Sequence, residues 1–78
     1  MIKWLPNYIS ETPYHVQLKN VIISNIHQGM LSKGAKLPPV KTISSGSLIS
    51  RQVIVHALDE LTEQGVLECL ESREYVVC

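Results

Sequence analysis

Between Ser50 and Gly65 the chain carries Val53, Ile54, Ala57, Leu58 and Leu61 at the spacing of one α-helical face, with a hydroxyl residue in front and a glycine behind. This segment constrains everything else. A short helix with an apolar stripe is marginal in water unless the stripe is covered, and in 78 residues the cover must come from a few other apolar segments. The sequence therefore predicts a single small core, with the helix over about 50–64 as its best-formed element.

The covering segments are legible in turn. Thr12-Pro13 reads as a capping residue followed by proline at the first helical position, and Val16, Leu18, Val21, Ile22 and Ile26 recur at helical spacing until Gly29. A first helix from Pro13 to about Gln28 follows. Its β-branched run Val21-Ile22-Ile23 suits a strand, but Gln17, Asn20, Ser24 and Asn25 fall on the opposite face and favour the helix. Gly29 to Pro39 is a turn-rich connector with a short extended piece around Ala35 to Leu37. Val40 to about Ser47 has poor helix propensity and reads as helix because the next segment needs it. After Gly65, Val66–Leu70 and Tyr75–Cys78 are β-rich runs separated by Glu71-Ser72-Arg73-Glu74, a hairpin by composition. Residues 1–11 hold Trp4, Pro6 and Tyr8 without periodicity and read as an extended N-terminal arm, which Trp4 and Tyr8 equip to dock on its own domain or on a neighbour, leaving 12–78 as the folded domain.

Helix, extended piece, helix, helix, hairpin is a mainly α fold with a small β-hairpin, the order of a winged helix-turn-helix. One exposed helix of that fold has the diameter to enter the major groove of double-stranded DNA while the hairpin reaches a neighbouring groove or phosphate. The helix over 50–64 is the expected reader. Its first turn, Ser50-Arg51-Gln52, combines a hydroxyl, a guanidinium and an amide with the unpaired N–H groups of a helix N-terminus.

Charge and cysteine usage exclude other classes. Seven basic and seven acidic groups cancel, yet residues 1–58 hold six basic groups against Glu11, and residues 59–78 hold Arg73 against six acids. Such asymmetry orients a protein on a polyanion even at zero net charge. Cys69 and Cys78 are too few for a disulfide scaffold and favour a reduced, cytoplasmic setting. The opening Met1 to Asn7 is broken by Pro6 and does not read as a signal peptide, and no apolar run approaches the roughly 18 to 20 residues that span a bilayer.

Gly29, Leu31, Gly34, Leu37 and Pro38 in the connector resemble the corresponding stretch of GntR-type bacterial transcription regulators. Ile43, Ile49-Ser50-Arg51, Ile54, Ala57-Leu58, Leu61, Gly65-Val66-Leu67-Glu68 and Tyr75-Val76-Val77 continue in the same register without a gap, and Pro13, Gln17, Leu18, Ile22 and Ile26 match that family's first helix. The resemblance covers about 12–78. Trp4-Leu5-Pro6 and the doubled Pro38-Pro39 are similar to the MocR-like subfamily, whose members carry a further aminotransferase-related domain that binds pyridoxal phosphate; the chain itself is expected to hold no cofactor. The resemblance implies a homodimer in the full-length protein, with dimerisation and effector sensing supplied by a C-terminal domain. It also marks departures. Ser47-Leu48 stands where the family has Leu-Gly, with Gly46 two residues early. Val55 stands where many members have arginine, and Ser72 and Glu74 replace glycines of the wing.

The candidate DNA-binding residues are Lys41, Ser50, Arg51, Gln52, Val55 and Arg73. Lys41 falls where the family commonly has a phosphate contact. Ser50 is a helix cap, a phosphate ligand or both, Arg51 is a DNA contact or a solvated arginine, and Gln52 pairs with adenine or faces water. Arg73 meets DNA or its flanking acids Glu71 and Glu74. His15, His27 and His56 share no metal-ligand spacing, so no metal site is expected, with His56 near DNA or the wing. Asp59, Glu60 and Glu63 read as a solvated face. No nucleophile-base or phosphate-loop pattern is present, so the chain does not read as an enzyme. The competing expectation is a degenerate winged helix that serves as a protein-protein interaction module, favoured by zero net charge, the acidic wing and Val55.

Overall fold

The computed structural model describes residues 4–78. The stripe around Leu58 becomes α3 (Arg51–Glu63), with Ile54, Ala57, Leu58 and Leu61 buried. Ser50 caps it, its Oγ accepting the Val53 N–H at 3.5 Å. Gly65, at φ +79°, ends it: Gly65 N–H donates to the Thr62 carbonyl and Val66 N–H to the Leu61 carbonyl. A left-handed residue there satisfies carbonyls that the helix leaves unpaired.

The same device closes α1 (Tyr14–His27), where Gly29 stands at φ +80° and Met30 N–H donates to the Asn25 carbonyl at 2.9 Å. The start of α1 differs from expectation. Pro13 occupies the capping position, and Thr12 makes no cap; its carbonyl instead accepts from Gln17 Nε2 at 2.8 Å. Gln17 also holds Asn7, accepting its N–H at 2.8 Å and donating to its carbonyl at 3.2 Å. The amide that periodicity placed on the outer face of α1 thus fastens the preceding segment to the helix.

Over the part described, that segment docks on its own domain. Trp4 is 7% exposed and belongs to the core, Pro6 is buried, and the Tyr8 hydroxyl donates to the Ser47 carbonyl. Residues 1–3 of the expected arm lie outside the described residues. The core also takes in Leu18 and Ile22 of α1, Ile43 of α2 (Val40–Ser47), Ile49, Leu31 and Leu37 of the connector, and Leu67, Tyr75 and Val77 from the C-terminal hairpin.

The hairpin pairs β1 (Leu67–Cys69) with β2 (Tyr75–Val77) antiparallel, Glu68 opposite Val76. The extended piece of the connector joins it at Lys36, opposite Val76: Leu37 N–H donates to the Tyr75 carbonyl and Val77 N–H to the Ala35 carbonyl, both at 2.9 Å. β2 is therefore paired on both sides, and the winged helix-turn-helix is anchored to the connector before α2. No helix among the described residues is long and apolar enough to cross a membrane.

Candidate nucleic-acid interface

The serine-rich segment before α3 folds as a helix because its hydroxyls find carbonyls. Ser47 Oγ donates to the Ile43 carbonyl at 2.7 Å, and Ser44 Oγ to the Ile49 carbonyl at 2.6 Å. Buried Ser47 would otherwise leave a polar atom unpaired in the core. Leu48 turns the chain at φ +60° and ψ +26°, with its N–H on the Ser44 carbonyl and its side chain 85% exposed. Ile49 then returns to the core and Ser50 starts α3.

This turn presents Ser50, Arg51 and Gln52 together, all exposed, at a helix N-terminus. The first turn of α3 carries no acid, and neither does that of α2, where Lys41 is exposed. Helix N-termini offer N–H groups without intrahelical partners and partial positive charge, so the arrangement suits an anion such as phosphate. The guanidinium of Arg51 and the amide of Gln52 add the donors and acceptor that read base edges.

Val55 and Arg73 lie elsewhere, on one groove of about 580 Å³ between α3 and the wing, which Leu37, Pro38, Asp59 and Tyr75 also line. Val55 is half-buried there. Arg73 is exposed at the wing tip, at φ +68°, its N–H donating to the Leu70 carbonyl at 2.8 Å. The left-handed residue of the wing is thus Arg73, while Ser72 and Glu74 keep negative φ. Among the described residues Arg73 pairs with neither flanking acid. Glu74 is instead engaged by Lys36 at 3.6 Å and by the Ser72 hydroxyl at 3.0 Å. Lys36 was absent from the sequence-derived candidates, because only the pairing of the connector with β2 brings it to the wing.

The acids of α3 do not form one solvated face. Asp59 accepts the Tyr75 hydroxyl at 2.7 Å, and Glu63 is exposed. Burial, reinforced by that hydrogen bond and by the Asp59 charge, pushes the Tyr75 phenol well above its ordinary range. Glu60 faces α1, with Oε2 2.8 Å from Lys19 Nζ and Oε1 2.7 Å from His56 Nε2. The Lys19 hydrogen bond holds its carboxyl below the usual value against partial desolvation, helped by the charge of Lys19 and of the histidines. His56, its side chain 58% exposed, thus faces Glu60, and its ring lies edge-on to His15 with centroids 4.6 Å apart. His15 and His56 share no metal-ligand spacing in the sequence, yet the packing of α1 on α3 brings them together.

Comparison with known proteins places this architecture. The family described as bacterial regulatory proteins, gntR family, matches residues 15–77. The uncharacterized HTH-type transcriptional regulator YisV of Bacillus subtilis (strain 168) is 33% identical over 66 residues, 85% of this chain. The chain spans 14% of that relative's length. Among solved structures, YtrA from Sulfolobus acidocaldarius, a GntR-family transcription factor, superposes with a TM-score of 0.84 at 30% identity, over 91% of this chain and 74% of that one. AraR(DBD) in complex with operator ORX1 is similar at a TM-score of 0.83 and 27% identity, over 96% of this chain and 93% of that one.

Proposed function

Because the chain belongs to the GntR family of bacterial regulatory proteins, we propose that it is a non-catalytic, sequence-specific DNA-binding domain of a cytoplasmic transcription regulator, with α3 in the major groove of double-stranded DNA. The observation that carries this reading is the exposed Arg51-Gln52 pair on the acid-free, Ser50-capped first turn of α3. The similarity to AraR(DBD) bound to its operator supports it. Arg51 and Gln52 are the base or phosphate contacts, Lys41 adds a phosphate contact from α2, and Arg73 reaches the backbone from the wing. Val55 acts by packing beside the groove.

One module of this kind covers roughly 600 to 1,000 Å² on DNA, short of useful specificity, so the full-length protein reads its operator as a homodimer. The acidic wing weakens the contact through Glu71, while Lys36 offsets Glu74.

The test is fluorescence anisotropy of a labelled duplex over a series of salt concentrations, followed by selection of preferred sites from a random pool. The logarithm of affinity should fall linearly with that of salt, and Arg51→Ala should cost about 1 to 3 kcal/mol at a selected site. A folded chain that binds no duplex at low salt overturns the reading in favour of a protein-interaction module.

A further inference from the structure

Glu60 Oε1 is approached from two helices by imidazole nitrogens, and hydrogen bonding alone leaves that convergence incomplete. His56 Nε2, one turn before Glu60 on α3, lies at 2.7 Å; His15 Nε2, from α1, stops at 3.7 Å, beyond hydrogen-bond reach. The three ligand atoms all fall within 4.8 Å of one another. Donors held ~2.0 to 2.1 Å from a tetrahedral zinc ion lie roughly 3.3 Å apart, so small side-chain rotations bring this trio to ligating distance.

The surroundings orient the carboxylate and leave the site accessible. Lys19 Nζ holds the other carboxylate oxygen, Oε2, at 2.8 Å, which fixes the plane of the carboxylate and leaves Oε1 turned toward the histidines. The side chains of His15 and Glu60 are 30% and 29% exposed, and that of His56 is 58% exposed, so the site is open to solution. Two imidazoles and one carboxylate select zinc and its neighbours in the transition series over magnesium or calcium, which take oxygen donors.

We propose that His15, His56 and Glu60 form a binding site for a divalent transition-metal ion of the zinc type, which pins α1 to α3 one turn beyond Gln52. The ion has three protein ligands and completes its shell with water. Because one ligand comes from α1 and two from α3, binding requires the native packing of these helices and stabilises the folded chain in proportion to occupancy.

Zinc titration of the tag-free 78-residue chain by calorimetry, paired with nitrogen-proton correlation spectra of the histidine side chains, tests this. Saturable 1:1 binding should shift the His15 and His56 imidazole resonances, leave those of His27 in place, and raise Tm with zinc concentration. His56→Ala should weaken binding at least tenfold, and the pair His15→Ala, His56→Ala should abolish the 1:1 event. The pair Cys69→Ser, Cys78→Ser should leave it intact. The proposal is overturned if no saturable binding occurs at millimolar zinc, if His27 shifts instead, or if binding disappears with the two thiols. The spectra of the unmutated chain decide the matter even if a variant folds poorly.

Discussion

Leu48 occupies a backbone conformation that favours glycine, and replacing it should stabilise the domain. At φ +60° and ψ +26° its Cβ crowds the following carbonyl, at a cost of roughly 1 to 2 kcal/mol for an L-residue. The side chain returns little, because at 85% exposure only about 0.3 kcal/mol of a leucine's burial energy remains. Leu48→Gly removes the crowding but gives the unfolded chain more freedom, an opposing ~0.5 to 1 kcal/mol. The net expectation is a gain of about 0.5 kcal/mol. Leu48→Asn, which tolerates the left-handed region without the full entropic penalty, should gain about 1 kcal/mol. Leu48→Val should lose at least ~1 kcal/mol, since a β-branched residue fits this region worst.

Gly46 supplies an internal control. It lies inside α2 with open space where a Cβ would stand, so Gly46→Ala should add ~0.5 to 1 kcal/mol by helix propensity. Combined with Leu48→Gly it moves the glycine from the helix to the turn. Urea and thermal unfolding followed by circular dichroism measure the series, with each kcal/mol worth about 4 to 8 °C in Tm for a domain of this size. If Gly and Asn at position 48 both destabilise, or if Val is neutral, the turn is not strained and the reasoning fails.

Other contacts give equally direct expectations. The Tyr75 phenol, held above its ordinary range, contributes stability that is complete below its unfolded value of about 10 and is lost as pH rises through the folded one. Tyr75→Phe should therefore cost about 1 kcal/mol at neutral pH and flatten the loss of stability above pH ~10; parallel curves for the two proteins in that range would exclude the role. Gln17→Ala removes three hydrogen bonds to Asn7 and Thr12, so emission from Trp4, the chain's single tryptophan, should shift to the red below the unfolding transition. Unshifted emission would mean that the leader docks through Trp4 alone. Glu71→Gln should tighten binding to non-specific duplex at low salt and lose the advantage as salt screens it; equal affinities throughout would place the wing away from DNA.

What could be read from the sequence divides according to where a residue's partner lies. Ser50 and Gly65 mark α3 correctly because a cap bonds within its own turn, and the hairpin is legible because β1 and β2 are joined by a short loop. The helix α2 was reachable only through context: its serines lower helix propensity, and the carbonyls that compensate, Ile43 and Ile49, are known only once the turn is folded. At the interface, Ser50, Arg51 and Gln52 were found together since one helical turn holds all three, whereas Lys36 reaches the wing through a connector strand that pairs across the chain. That His15 and His56 adjoin is hidden in the sequence for the same reason. Periodicity sorts residues into the inner and outer faces of one helix, but it carries no information on which outer face of α1 will adjoin which outer face of α3. At the flank of that packing, residues still half exposed meet polar partners: Lys19 with Glu60, and His15 with His56. A polar residue that flanks an apolar stripe is therefore the type whose surroundings helical spacing leaves undetermined, and Gln17 and Glu60 show that such flanks hold the leader and the helix pair together.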